Sequence, residues 1–174
     1  MKNILFTFAL FTLVLIPVYG HAEIPPVQKY VKNAEKSDTA RLKYMIWNVY
    51  DATLFTSNGA FKADKPFALQ LEYLVDLKGA KIAERSIVEM RRQGFNDEEK
   101  LSIWEKQLKE IFPDVDKGSS ITGIRDAKGN TIFYKNNSEI GQIESPEFTQ
   151  SFFDIWLSPK TSEPEMRQQL LGLK

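Results

Sequence analysis

The amino-acid sequence predicts an α+β domain in which helices cover a largely antiparallel sheet. Three observations carry this. Segments with strand character come in runs, segments with helix character come in pairs, and the last three strand candidates are separated only by short turns. A parallel sheet would need strand and helix to alternate, and they do not.

Residues 1–22 stand outside that domain. Lys2 makes a basic start, Ile4 to Val18 is an apolar run, and Gly20 and Ala22 put small residues at the −3 and −1 positions of a cleavage site. This is the pattern of a secretory signal peptide, and its apolar run is too short to suit a membrane span. Residues 23–174 are then expected to form one exported, soluble domain with no further stretch of spanning length. Without Lys2 the chain has 22 basic against 23 acidic side chains, a net charge near −1. That balance gives no reason to expect nucleic acid or an anionic membrane surface as a partner.

The domain opens on Ile24-Pro25-Pro26, whose prolines argue against a helix start. The lysine-bearing remainder to Thr39 suits a short edge strand and a turn. Leu42–Phe55, LKYMIWNVYDATLF, is the stretch around which the rest is organised. Its aromatic and β-branched residues lie on both alternating faces, which predicts a central strand covered on two sides. The run exceeds the usual strand length, so a bend or bulge is expected near Asn48–Asp51; a helix is the competing assignment. Asn58-Gly59 marks a loop over 56–66. In 67–75, Phe67, Leu69, Leu71, Tyr73 and Val75 alternate with Ala68, Gln70, Glu72 and Leu74, the pattern of a half-buried strand.

Two helices follow. Ala80–Gln93 carries Ile82, Ala83, Ile87 and Met90 as an apolar stripe, with Gly94 to end it. Asn96-x-x-Glu99 has the form of a capping box for a second helix reaching Phe112, with Leu101, Trp104, Leu108, Ile111 and Phe112 inward. Short strands are predicted at 120–124, 131–134 and 139–143, with Asp126–Gly129 and Asn136-Asn137 as turns. Ser145-Pro146-Glu147 starts a helix that has Phe148, Phe152, Ile155 and Trp156 on one side. Ser162-x-x-Glu165 caps a last helix with Met166, Leu170 and Leu171 inward.

The chemistry is bounded by two absences. The only histidine, His21, falls in the signal segment, and there is no cysteine. Serine–histidine and cysteine–histidine nucleophile systems are therefore excluded, as is a disulfide framework. Zinc, copper and haem sites lose their usual donors, and no cofactor or metal is expected. Asp51, Glu72, Asp76 and Glu84 are among many acids, but no spacing singles out a catalytic pair.

Several stretches resemble the exported bacterial branch of the chalcone isomerase-like family. They are Trp47-Asn48-Val49-Tyr50-Asp51-Ala52-x-Leu54-Phe55, Glu89–Gly94, Ile111–Val115, Gly118–Ile121 and above all Phe152-Phe153-x-Ile155-Trp156 through Leu157–Pro164. The resemblance spans Val27 to Gly172. It implies an open-faced β-sandwich, a curved antiparallel sheet layered with helices and a cleft between them, in a periplasmic protein. The wider family includes plant enzymes that close a chalcone into a flavanone and fold relatives that hold fatty acids. Aligned with the plant enzymes, Ile82 replaces an active-site tyrosine, Glu89 an asparagine, Ile155 a threonine or serine, and Met45 another threonine. Their essential arginine falls near Asn33, with Arg41 the nearest substitute. Groups that would hold a phenolate or polarise a carbonyl are thus missing, which argues against isomerase activity.

The polar contacts of such a cleft would come from the strand faces and the first long helix. Tyr44, Tyr50, Tyr73, Arg85 and Glu89 are the candidate ligand-binding residues. Each also has a purely structural reading: strand tyrosines are commonly core residues, and Arg85 with Glu89 is an i,i+4 pair. The leading expectation is a non-catalytic protein with a cleft for a small hydrophobic or fatty-acid-like ligand. An isomerase rebuilt around Tyr73, Arg85 and Glu89 is the second, and a cell-envelope interaction protein with an exposed apolar patch the third. Nothing in the sequence specifies an oligomeric state.

Overall fold

The computed structural model describes residues 26–173. Residues 1–22, expected to be a signal peptide, lie outside the described residues. Among those residues seven strands form one sheet in which every pairing is antiparallel. Strands β1 (Ala34–Lys36) and β2 (Ala40–Tyr44) lie end to end along one edge of β3 (Trp47–Ser57). The order then runs through β4 (Phe67–Tyr73), β5 (Ser120–Arg125), β6 (Thr131–Lys135) and β7 (Ser138–Ile143). Helices α2 (Gly79–Arg92) and α3 (Glu98–Ile111) separate β4 from β5 in the chain, and α4 (Pro146–Leu157) and α5 (Pro164–Leu171) follow β7.

Strand alternation decides which face the helices cover. Phe67, Leu69, Leu71 and Tyr73 of β4 lie on the same side as Ala52 and Leu54 of β3, Ile121 of β5 and Phe133 of β6. Onto this side pack Ala83, Ile87 and Met90 of α2, Leu101, Trp104 and Leu108 of α3, and Met166 and Leu170 of α5. Helix α4 contributes Phe148, Phe152, Phe153 and Trp156. Each such ring contributes about 1.5–3 kcal/mol when fully buried, so α4 is the most firmly seated helix. Gly123 of β5 makes room for it, because a Cβ there would stand 3.3 Å from the Phe153 ring. The opposite face has a thinner cover. Val27 of α1 (Val27–Tyr30) and the adjoining Val31 pack on Ala68, Ile124, Ile132 and Tyr134.

Helices α2 to α4 and strands β4 to β7 fall within a residue or two of their expected positions. Three local readings are corrected. Leu42–Phe55 is not one strand but most of a hairpin, turning at Met45 (φ 54°) and Ile46. The apolar residues on both alternating faces reflected an exposed turn rather than a strand buried on two sides. The bulge does sit where strand length suggested, since Leu42 pairs with Tyr50 and Lys43 with Asn48, leaving Val49 unpaired. Second, Val27–Tyr30 is helical despite the prolines, with Pro26 as its N-cap. The first N–H groups of a helix have no intrahelical partner, so a missing donor costs little there. Third, two caps differ. Asp97, not Asn96, accepts from the Lys100 N–H at 3.0 Å, and α5 begins at Pro164 without a side-chain cap because Ser162 bonds elsewhere.

Candidate functional site

A cavity of about 160 Å³ lies between the helix-covered face of the sheet and helices α2 and α4. Its sheet side is formed by Leu42 of β2, Val49 and Tyr50 of β3, Leu71 and Tyr73 of β4 and Ile121 of β5. The bulge explains why the consecutive residues Val49 and Tyr50 both line it, since an extra residue breaks the alternation of sides. Ile82, Arg85, Ser86 and Glu89 enter from α2, and Phe152, Ile155 and Trp156 from α4. Ser162 and Glu163, in the connection from α4 to α5, complete the rim with Arg85.

That connection is held rigidly. The Thr161 hydroxyl donates to the Ile155 carbonyl at 2.7 Å and accepts from the Glu163 N–H at 3.1 Å. Arg92 reaches across from α2 to the Lys160 carbonyl at 3.0 Å, and Arg167 donates to the Leu157 carbonyl at 2.8 Å. Serine, proline and threonine in Leu157–Pro164 thus shape a loop that aims Ser162 and Glu163 at the cavity.

Two kinds of polar group meet the cavity. At the rim, Glu89 is a buried carboxylate (4 % exposed) that accepts from Arg85, from Arg92 Nε at 2.8 Å and from the Ser162 hydroxyl at 3.1 Å. It ties α2 to the α4–α5 connection. Glu163 nearby is held above the usual carboxylate range by partial burial, with the charge of Glu89 adding to the effect. Deeper in are two phenols. Trp156 Nε1 donates to the Tyr50 hydroxyl at 2.9 Å, and the Tyr50 and Tyr73 rings meet edge to face at 6.1 Å. Burial pushes both phenols well above their ordinary value, so both remain neutral O–H donors. Among the described residues neither finds an acceptor for its own proton, and the Tyr73 hydroxyl makes no hydrogen bond at all.

Tyr50, Tyr73, Arg85 and Glu89 therefore come together on one cavity. Tyr44 does not: it is 65 % exposed beyond the lining residue Leu42, so its reading as a ligand contact is corrected by the hairpin turn. Met45, placed by the resemblance at a catalytic threonine, is likewise exposed at that turn, and Arg41 is engaged with Asp51 at 2.6 and 2.7 Å. Ile82 and Ile155 line the cavity as the alignment implied. Sequence reasoning missed Ser86, Ser162, Glu163 and the indole of Trp156; the Ser162-Glu163-Pro164 motif was the one available signal. A wider recess of about 480 Å³ lies between α4 and the β3–β4 loop. Asp64, Arg125 and Asp154 make its lining more polar than that of the first cavity, and it is the weaker candidate for an apolar ligand.

Residues 38–172 match the model of the chalcone isomerase-like family. The chain belongs to that family. Among solved structures it is similar to a fatty-acid binding protein of Arabidopsis thaliana, with a TM-score of 0.61 and 11% sequence identity, over 80% of this chain and 87% of the other. At that identity the likeness concerns the fold, an open antiparallel sheet layered with helices. No curated protein matches by sequence.

Proposed function

We propose that this is an exported, non-catalytic member of the chalcone isomerase-like family that binds a small hydrophobic, oxygen-bearing molecule of fatty-acid-like character. The carrying observation is an apolar cavity lined by Tyr73, a residue only 2 % exposed whose hydroxyl makes no protein hydrogen bond among the described residues. Such a group is costly to bury unless something accepts its hydrogen bond. The ligand's apolar body would lie against Leu42, Leu71, Ile82 and Ile155 and its oxygen at Tyr73. Arg85 engages Glu89 through one nitrogen, which leaves guanidinium donors at the rim for an anionic head group. A cavity near 160 Å³ is close to the roughly 150 Å³ known to admit benzene and below the roughly 300–1,000 Å³ of drug-sized sites. A ring or short acyl chain fits inside; a longer chain extends through the rim.

The family fold and the likeness to a fatty-acid binding protein support a binding role; the signal-like residues 1–22 support export to the periplasm. The rebuilt-isomerase reading is weaker despite the convergence of Tyr73, Arg85 and Glu89. Glu89, the carboxylate on which that reading rests, is already committed to Arg85, Arg92 and Ser162 and is not free to act as a base.

Native mass spectrometry of the protein from its own host, followed by denaturation, tests the reading. An acyl or aromatic molecule released at unit stoichiometry is expected. Tyr73→Phe is expected to weaken rebinding of that molecule by roughly 2- to 12-fold, one hydrogen bond's worth, without lowering the stability of the empty protein. A protein that is empty as isolated and stays empty after incubation with short- and medium-chain fatty acids would refute it.

A further inference from the structure

The β2–β3 hairpin ends in Tyr44, Met45, Ile46 and Trp47, which are 65, 83, 87 and 62 % exposed. Four consecutive large apolar residues in water are unfavourable, and the fold offers them no cover. Their arrangement is graded along the hairpin axis. Aliphatic Met45 and Ile46 form the extreme tip, the amphipathic aromatics Tyr44 and Trp47 pair directly behind them, and Lys43 pairs with Asn48 behind those. The Arg41–Asp51 ion pair comes next. Between residues 42 and 50 the only charge is the cation of Lys43.

We propose that this tip inserts into the interfacial layer of a lipid bilayer. The gradient matches the depth profile of that layer: aliphatic side chains toward the acyl region, Tyr and Trp at headgroup level, a lysine at the phosphates. A protein partner would cover a face of the hairpin. Here the four exposed residues surround a two-residue turn at the end of a hairpin, a narrow apex rather than a broad face, and an apex suits insertion into a fluid lipid phase better than burial against a complementary protein surface. The net charge of the chain gives no general pull toward anionic membranes, so docking rests on this tip. Its stem is continuous with the cavity, because Leu42, Val49 and Tyr50 are lining residues. Docking therefore brings the cavity to a reservoir of apolar molecules. That loading role rests on the ligand reading above; the docking does not.

The processed protein is mixed with vesicles of phosphatidylcholine, and with vesicles that also contain phosphatidylglycerol, with no ligand added. Trp104 and Trp156 are buried, so a blue shift of tryptophan emission reports Trp47 entering lipid. Expected are co-sedimentation with both vesicle types, tighter with the anionic one, and a blue shift that Trp47→Phe removes. Ile46→Asp is expected to lower vesicle affinity by more than about tenfold. Lys43→Glu is expected to remove only the preference for anionic lipid. Both positions are exposed, so far-UV circular dichroism should match the parent, and the two variants check one another. Parent protein that stays in the supernatant would overturn the proposal. So would unaltered binding by Ile46→Asp, or a dimer of this chain that Ile46→Asp dissolves while vesicles have no effect. Vesicle binding is read on the empty protein, so its failure leaves the ligand reading standing, and failure of ligand binding leaves the docking intact.

Discussion

Glu163 shows what a single side chain at the rim can reveal. Burial and the charge of Glu89 raise its pKa above the ordinary 4.5, so the folded state holds its proton more tightly than the unfolded chain does. A group raised in this way favours folding below its unfolded value, and that contribution is lost as pH rises through the folded value. Glu163→Gln is therefore expected to be more stable than the parent at neutral pH. The advantage should shrink as pH falls through the carboxylate range and vanish below it, as urea midpoints at several pH values would show. Equal pH profiles would mean that Glu163 is solvated like any surface acid. Arg85 and Glu89 were legible in the sequence because helix spacing puts them on one side without knowledge of the fold, and Tyr73 because β4 alternates regularly; Tyr50 was named along with Tyr44, which the hairpin turn leaves exposed. Glu163 and Ser162 were not, because a loop residue has no period and its direction is set by bonds such as Thr161 to the Ile155 carbonyl.

Elements with strong internal periodicity could be read directly, and those bounded by tertiary contacts could not. Helix α4 announced itself through Ser145, Pro146 and its aromatic stripe, and Ser145 does accept from the Phe148 N–H at 3.1 Å. The β2–β3 hairpin was hidden because Tyr44–Trp47 carries no glycine, asparagine or proline to mark a turn; Met45 takes the left-handed conformation unaided. The start of α2 depends on a distant segment. Asp114, beyond α3, accepts from the Gly79 N–H at 3.1 Å, and Lys78 helps hold this carboxyl below its usual range. Gly79 lies so close to that segment that a Cβ would fall 2.0 Å from the Phe112 carbonyl oxygen. Gly79→Ala is expected to cost about 3 kcal/mol or more, since backbone rather than a movable side chain blocks the methyl. A urea midpoint close to the parent's would show that the two segments part readily.

At the scale of the whole molecule, the sheet joins two local meanders along one seam. Strands β1 to β4 form the first and β5 to β7 the second, and only the β4–β5 pairing links them within the sheet. Although one turn of the first meander was hidden, the α+β layering was readable because strand-like segments come in runs and helix-like segments in pairs. That β4 meets β5 was not, since α2 and α3 separate them and no local signal records a long-range pairing. The seam has a kinetic consequence. Each meander can form from contacts near in sequence, whereas closing β4 on β5 must first bring the ends of a long segment together. The cavity straddles this closure, with Leu71 and Tyr73 on one side and Ile121 on the other. A bound molecule can grip only after the seam has zipped, so it should slow unfolding while leaving the refolding rate unchanged. In stopped-flow chevrons the ligand would then shift the unfolding arm alone. A faster refolding arm would mean instead that the pocket assembles early and that the seam is no late step.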